Sequence, residues 1–152
     1  MINIIVHCSD SSFGNAALIT TWHVLPPPKG RGWNNIGYHY VILNGWLSAF
    51  RHNGLFDGCL ETGRPLDDDA DISSDEFGAH ATGWNNAIGI CLIGLSGNFT
   101  QAQMRALKLL IRRLKAQFNG AKVMQHSDVD PVNRPKCAGL SPEDMKILNG
   151  LA

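Results

Sequence analysis

The chain has no run that approaches the roughly 18 consecutive apolar residues needed to cross a bilayer, so no membrane insertion is expected. It has no charge surplus either: 13 Lys and Arg balance 13 Asp and Glu. A protein that grips a phosphate backbone normally carries a basic excess, so nucleic acid is not an expected partner. The N-terminus, Met1-Ile2-Asn3-Ile4-Ile5-Val6, lacks the basic segment and small-residue cleavage site of a secretory signal. It reads as a first strand, and the expectation is synthesis in the cytoplasm, with any work outside needing a separate route out. Cysteine is scarce, at 4 residues. Cys8 and Cys91 sit in apolar strand-like runs and read as buried thiols rather than disulfide partners. Cys59 lies in a Gly-rich turn and stays ambiguous, while Cys137 falls beside a turn, next to a basic residue.

There is also no internal repeat and no linker. With 152 residues, 44% of them apolar, the chain is expected to fold as one domain, 1–152, with a real core. Strand-like runs occur at Ile2–Cys8, Gly37–Leu43, Leu47–Arg51, Ile88–Ile93 and Lys122–His126. The first and fourth are nearly all apolar, as strands covered on both faces are. Asn15–His23 reads as a short helix. Thr100–Phe118 reads as a long one, with Thr100 and Gln103 forming a capping box and Phe99 and Met104 a hydrophobic staple. Met104, Leu107, Ile111, Leu114 and Phe118 form its apolar stripe. Pro142 opens a last helix at its first position. Strands alternating with helices predict an α/β fold, a central mixed β-sheet flanked by helices.

Leu66–Phe77 is rich in Asp and Glu but lacks the alternating oxygen ligands and Gly turn of a calcium loop. It reads as a solvated loop. Arg105, Lys108, Arg112 and Lys115 make a basic stripe on the long helix, which reads as a solvated face.

Three separated segments carry the chemistry: Val6-His7-Cys8-Ser9, Gln125-His126-Ser127-Asp128 and Lys136-Cys137-Ala138-Gly139. His7 and His126 each end a strand. If those strands are parallel neighbours, both rings meet at the sheet edge where α/β proteins bind ligands. Two imidazoles and a thiolate fill three corners of a tetrahedron and leave the fourth open. That is the pattern of a hydrolytic zinc site, whereas a structural site closes all four corners.

With Trp33-Asn34-Asn35-Ile36-Gly37-Tyr38-His39-Tyr40, Gly78-Ala79-His80-Ala81-Thr82-Gly83-Trp84-Asn85, Ile88–Gly94 and Phe99–Gln103 added in order, the chain resembles the type-2 N-acetylmuramoyl-L-alanine amidases. That zinc family includes bacteriophage amidase lysozymes and shares the fold of peptidoglycan recognition proteins. The resemblance covers nearly the whole chain. It implies one zinc on His7, His126 and Cys137, and cleavage of the amide between N-acetylmuramic acid and L-alanine in peptidoglycan. It implies that Tyr38 stands beside the metal and that His80 contacts substrate or the developing oxyanion. Trp33 and Trp84 are candidate stacking surfaces for sugar or peptide. Pro26–Lys29 and Leu66–Phe77 are candidate walls of the groove. His39 reads as a structural histidine, and His23 and His52 as surface residues.

One departure matters. The family usually carries a basic residue two positions before the third ligand, and here that position is Pro135. Either Arg134 or Lys136 supplies the charge. The expected role is that of a phage endolysin, a monomer made in the host cytoplasm that reaches the cell wall after release. The competing readings are a cytosolic amidase that recycles muropeptides, and a non-catalytic peptidoglycan-binding protein on the same fold. Recycling amidases carry Asp as the third ligand, and the non-catalytic receptors lose a ligand, so Cys137 together with both histidines favours the phage branch.

Overall fold

The computed structural model describes residues 1–152. Its elements run β1 (Asn3–Cys8), α1 (Ala16–Val24), β2 (Tyr40–Ser48), β3 (Arg51–Thr62), β4 (Ile88–Leu92), α2 (Gln101–Gln117), β5 (Lys122–Gln125), α3 (His126–Val129) and α4 (Pro142–Gly150). They build one five-stranded sheet in the order β3-β2-β4-β1-β5. β2, β4, β1 and β5 are mutually parallel, and only β3 runs antiparallel, against β2. This is the mixed sheet that the sequence predicts.

The central strands are apolar because both their faces are covered. Ile4 and Val6 of β1 join Ile88, Ile90 and Leu92 of β4 beneath Leu107, Ile111 and Leu114 of α2, all fully buried. Ile5 faces the other way, onto Ala81, Ala87 and Met124. Each such side chain contributes roughly 1.5–3 kcal/mol by burial. The capping box at Thr100 forms as expected. Gln103 does more than cap: its Nε2 donates to the carbonyls of Ile42 and Ile93 at 3.0 and 2.8 Å. The first turn of α2 is thereby tied to the ends of β2 and β4. No helix is long and apolar enough to cross a membrane.

One expected strand is not there as read. Leu47–Arg51 is the reversal of a hairpin, and the strand that follows is the long β3. β3 carries turn-forming residues at Asn53-Gly54 and Asp57-Gly58, is mostly exposed, and shifts register against β2 in three places. An edge strand with one partner needs no apolar run, and its pairing with β2 overrides weak local propensity. The other edge, β5, is closed by side chains. Asn149 accepts from the Val123 N–H at 3.0 Å and donates to its carbonyl at 2.9 Å, and Asp128 accepts from Gln125 N–H at 2.9 Å. An edge so covered cannot template another strand.

The acidic stretch is an ordered loop wound around Glu76, whose carboxylate accepts from the N–H groups of Asp67 and Ser73 at 2.7 and 2.8 Å. His39 is fully buried behind it, bonded to Glu76 and Gly89, the structural place expected for it.

Candidate metal centre and its cleft

The parallel register pairs Val6 of β1 with Gln125 of β5. The next residue on each chain is a histidine, so His7 and His126 emerge side by side at the carboxyl edge of the sheet. Their Nδ1 atoms lie 3.0 Å apart. Cys137 is brought over the same edge by the loop before α4. Its carbonyl accepts from Ser127 N–H, and Cys8 N–H donates to its Sγ at 3.3 Å. Gln125 holds that loop from below: its Oε1 accepts from the N–H groups of Gly139 and Leu140 at 3.1 and 3.0 Å. Gly139 has φ +85°, and a Cβ there would strike Ser96 Oγ and Gly97 N, so the turn after Cys137 requires glycine.

The donor atoms of His7, His126 and Cys137 all lie within 4.8 Å of one another. Nitrogens on two corners of a zinc tetrahedron, each about 2.0–2.1 Å from the ion, stand roughly 3.3 Å apart. Two imidazole nitrogens and a sulfur converging at this spacing fit zinc. The charge states fit as well. Burial, then His80, His126 and Arg134, push His7 far below the usual imidazole range. Burial and then Arg134 lower His126, against the pull of Asp130. Both rings are therefore neutral near pH 7, the state that a ligand needs. The Cys8 and Cys137 thiols adjoin and cannot both ionise. The Cys137 side chain draws Cys8 down to about 7, against burial, while Cys8 and then burial push Cys137 well above the ordinary thiol range. A cation at Cys137 is what would place the negative charge on that sulfur instead.

His7 is sealed at the floor of an open cleft. The cleft lining includes His23, Arg31, Trp33, Tyr38, His80, His126, Asp130, Arg134, Lys136 and Cys137. The Tyr38 ring stands 5.1 Å from the His7 ring. Burial, followed by the sulfurs of Cys91, Cys137 and Cys8, raises its phenol well above the usual range, so it keeps its proton near neutral pH. Arg134 acts electrostatically on both histidine ligands. Lys136 is exposed, its carbonyl accepts from the Ser96 hydroxyl, and it figures in neither histidine's environment.

Several residues stand otherwise than the sequence suggests. His80 lines the cleft but is buried, with both ring nitrogens engaged, Nδ1 with His7 Nε2 at 2.9 Å and Nε2 with the Ala87 carbonyl at 2.8 Å. Trp84 packs against Ile5, Ala81, Ala87 and Met124 and does not line the cleft, because burying its apolar ring there completes that small core. Trp33 does line the cleft. Neither Pro26–Lys29 nor Leu66–Phe77 reaches it; the acidic loop is held at the end of α2, where Gln117 donates to the carbonyls of Asp67 and Asp69. Cys8 lines the cleft beside Cys137 instead of being an isolated core thiol.

His23 is no surface residue either. It is 9% exposed, accepts from Gly37 N–H at 2.9 Å, and lies between Trp33 and Tyr38 at centroid distances of 4.7 and 5.6 Å. Burial, then Arg31 and Arg64, lower it to about 4. The signal for it was helical spacing, since Ile19 and His23 are the buried pair of α1.

Comparisons with known proteins show the family and the fold. The Amidase_2 family, described as N-acetylmuramoyl-L-alanine amidase, matches residues 3–140. An endolysin of Klebsiella phage KP32 is 36% identical over 139 residues, covering 84% of this chain and 76% of its own. The solved N-acetylmuramoyl-L-alanine amidase LysC from Clostridium intestinale is 28% identical with a TM-score of 0.71, covering 99% of this chain and 87% of its own. Drosophila PGRP-LB, at 24% identity and a TM-score of 0.61 over 90% of this chain and 74% of its own, shares the fold. With a family match spanning nearly every element from β1 to the loop before α4, the chain belongs to the N-acetylmuramoyl-L-alanine amidases.

Proposed function

We infer that this chain is a zinc-dependent peptidoglycan amidase that serves a phage as its endolysin, cutting between N-acetylmuramic acid and the L-alanine of the stem peptide. The observation that carries the reading is the convergence of His7, His126 and Cys137 at the floor of a cleft that also holds Tyr38.

His7 and His126 through Nδ1, and Cys137 through Sγ, would hold one zinc ion. When bound, zinc supplies a Lewis acid that acidifies water and polarises a carbonyl oxygen. The chain's own residues do the rest. The Tyr38 hydroxyl, kept protonated by burial, donates a hydrogen bond to the oxygen that gains charge as the scissile carbonyl becomes tetrahedral. Arg134 places a guanidinium on the same side as the ligands and supports that charge. Trp33 offers an aromatic face at the cleft wall, and Arg31 lies over it at 5.1 Å. The His23 ring packs against Tyr38 and is backed in turn by Trp33. The partner is peptidoglycan, the working form a monomer, and the place of action the cell wall after release from the host cytoplasm.

The test is the zinc content of the purified protein, together with product analysis on purified peptidoglycan with and without a chelator. The reading expects one zinc per chain and chelator-sensitive release of L-alanine amino termini with no new reducing sugar ends. Zinc without cleavage would move the chain to a binding role, and absence of zinc would overturn the metal site.

A further inference from the structure

We propose that His80 is a positioning residue that fixes the tautomer of His7, so that the His7 Nδ1 lone pair is presented to zinc. The proposal rests on the reading of His7 as a ligand and goes beyond it, because it assigns a specific task to a histidine whose two ring nitrogens are both engaged within the protein.

The argument follows the protons. The Ala87 carbonyl can only accept, so the His80 Nε2 that faces it at 2.8 Å carries a proton. A neutral imidazole has one N–H, so His80 Nδ1 is bare. His7 Nε2 lies 2.9 Å from that bare nitrogen and must donate to it. His7 Nδ1 is then left with its lone pair, and it is this atom that faces His126 Nδ1 at 3.0 Å. A carbonyl of the β4 approach thus dictates, through two rings, which nitrogen of His7 binds a cation. Ligand histidines commonly donate their second N–H to an acceptor that sets ring orientation and basicity. Here that acceptor is another imidazole, whose own orientation must therefore be fixed.

The backbone does this. A Cβ at Gly89 would lie 2.6 Å from the His80 ring, and one at Gly78 would lie 2.5 Å from its Cδ2. The ring is seated against two glycines, and a flip would put Cδ2 and Cε1 where Nδ1 and Nε2 stand and lose both hydrogen bonds. The backbone N–H of His80 donates to the Asn85 side-chain oxygen at 3.2 Å. His126 has no such support: no hydrogen bond is found at its Nε2, and that atom is not a sealed, unpartnered one. One ligand is pre-set and the other adapts.

The experiment compares His80→Asn with His80→Gln. The Asn Oδ1 takes the place of the ring Nδ1 and can still accept from His7, whereas Gln keeps only the donor toward Ala87. Zinc affinity, read by competition with a chromophoric chelator, should fall about 10–100-fold in His80→Gln and stay within a few-fold of the wild type in His80→Asn. Equal losses in both variants, or none in His80→Gln, would overturn the proposal. Independently of any variant, long-range 1H–15N spectra of the purified wild-type protein should place the ring protons of both His7 and His80 on Nε2. A proton on His80 Nδ1 would also overturn it. If the purified protein neither holds nor takes up zinc, the metal reading fails, but the same spectra still decide the tautomers.

Discussion

His7 Nδ1 and His126 Nδ1 face each other at 3.0 Å. Two bare imidazole nitrogens repel at that distance, so one must carry a proton or both must share a cation. A bound zinc would remove the conflict in the folded state alone, because the strand register that creates the pair is absent from the unfolded chain. Binding only the native state at 100 times the dissociation constant adds about 2.7 kcal/mol. For a domain of this size that raises the melting temperature by roughly 5–10 °C. Calorimetry with zinc and then with excess chelator checks this, and His126→Ala or Cys137→Ser should abolish the rise.

The buried histidines make stability fall with acid. His23 and His80 are each lowered to about 4 by burial, against an unfolded value near 6.5. Between those values the unfolded chain binds protons that the native chain does not, so unfolding gains free energy as pH falls. The stability that each contributes is complete above pH 6.5 and is lost on the way down to about 4. The slope approaches about 1.4 kcal/mol per pH unit for each histidine. Thermal unfolding in chelator at steps from pH 7 to pH 4 should show this decline. His23→Asn keeps an acceptor for Gly37 N–H and should flatten it.

Much of this was legible in the chain, for reasons that differ by residue. β1 and β4 were readable because covering both faces of a strand demands an unbroken apolar run. α2 was readable because its cap and its stripe are both local. His7 and His126 were readable as a pair once their strands were taken as parallel neighbours, which the register bears out. β3 was missed because an edge strand with bulges has no period of its own. The place of His80 could not be read from its neighbours in sequence, since both its partners are set by tertiary packing: His7 lies 73 residues away and the Ala87 carbonyl follows a turn. Trp84 and Trp33 look alike as exposed-loop aromatics, and only packing sends the first to a core and the second to the cleft.

Arg134 and Lys136 can be separated by mutation. Arg134 lowers both His7 and His126 through its charge, and Lys136 lines the same cleft. Arg134→Ala should lower kcat/KM on muropeptide by roughly 10²-fold, the scale of removing one group that stabilises an oxyanion. Lys136→Ala should change it by less than about tenfold. The same loss from Lys136→Ala, with Arg134→Ala silent, would reverse the assignment.

Gln125 tests whether the third ligand is pre-organised. Its amide holds Gly139 and Leu140 by three hydrogen bonds and so carries the Cys137 loop on the end of β5. Gln125→Ala removes no ligand, yet it should weaken zinc binding about tenfold or more by freeing the loop. The protein should still melt cooperatively, since the cores on the two faces of the sheet are untouched. Unchanged affinity in a chelator competition would show that the Ser127 and Cys8 N–H contacts hold Cys137 by themselves.

Tyr38 distinguishes hydrogen-bond donation from general-base catalysis. Its phenol is buried beside the sulfurs of Cys91, Cys137 and Cys8, each of which raises its pKa further. Near neutral pH it keeps its proton, so it is set to donate toward oxygen rather than to take a proton from water. Tyr38→Phe keeps the ring that packs at 5.1 Å from His7 and deletes the donor alone. Zinc content and melting temperature should therefore hold, while kcat falls by about 10²–10³-fold. The rate–pH profile of the wild type should show no limb belonging to this group below pH 10, and the variant's profile should keep the wild-type shape at a lower height. A limb near neutrality that vanishes in Tyr38→Phe would mean that the phenolate forms after all, and the donor role would fall.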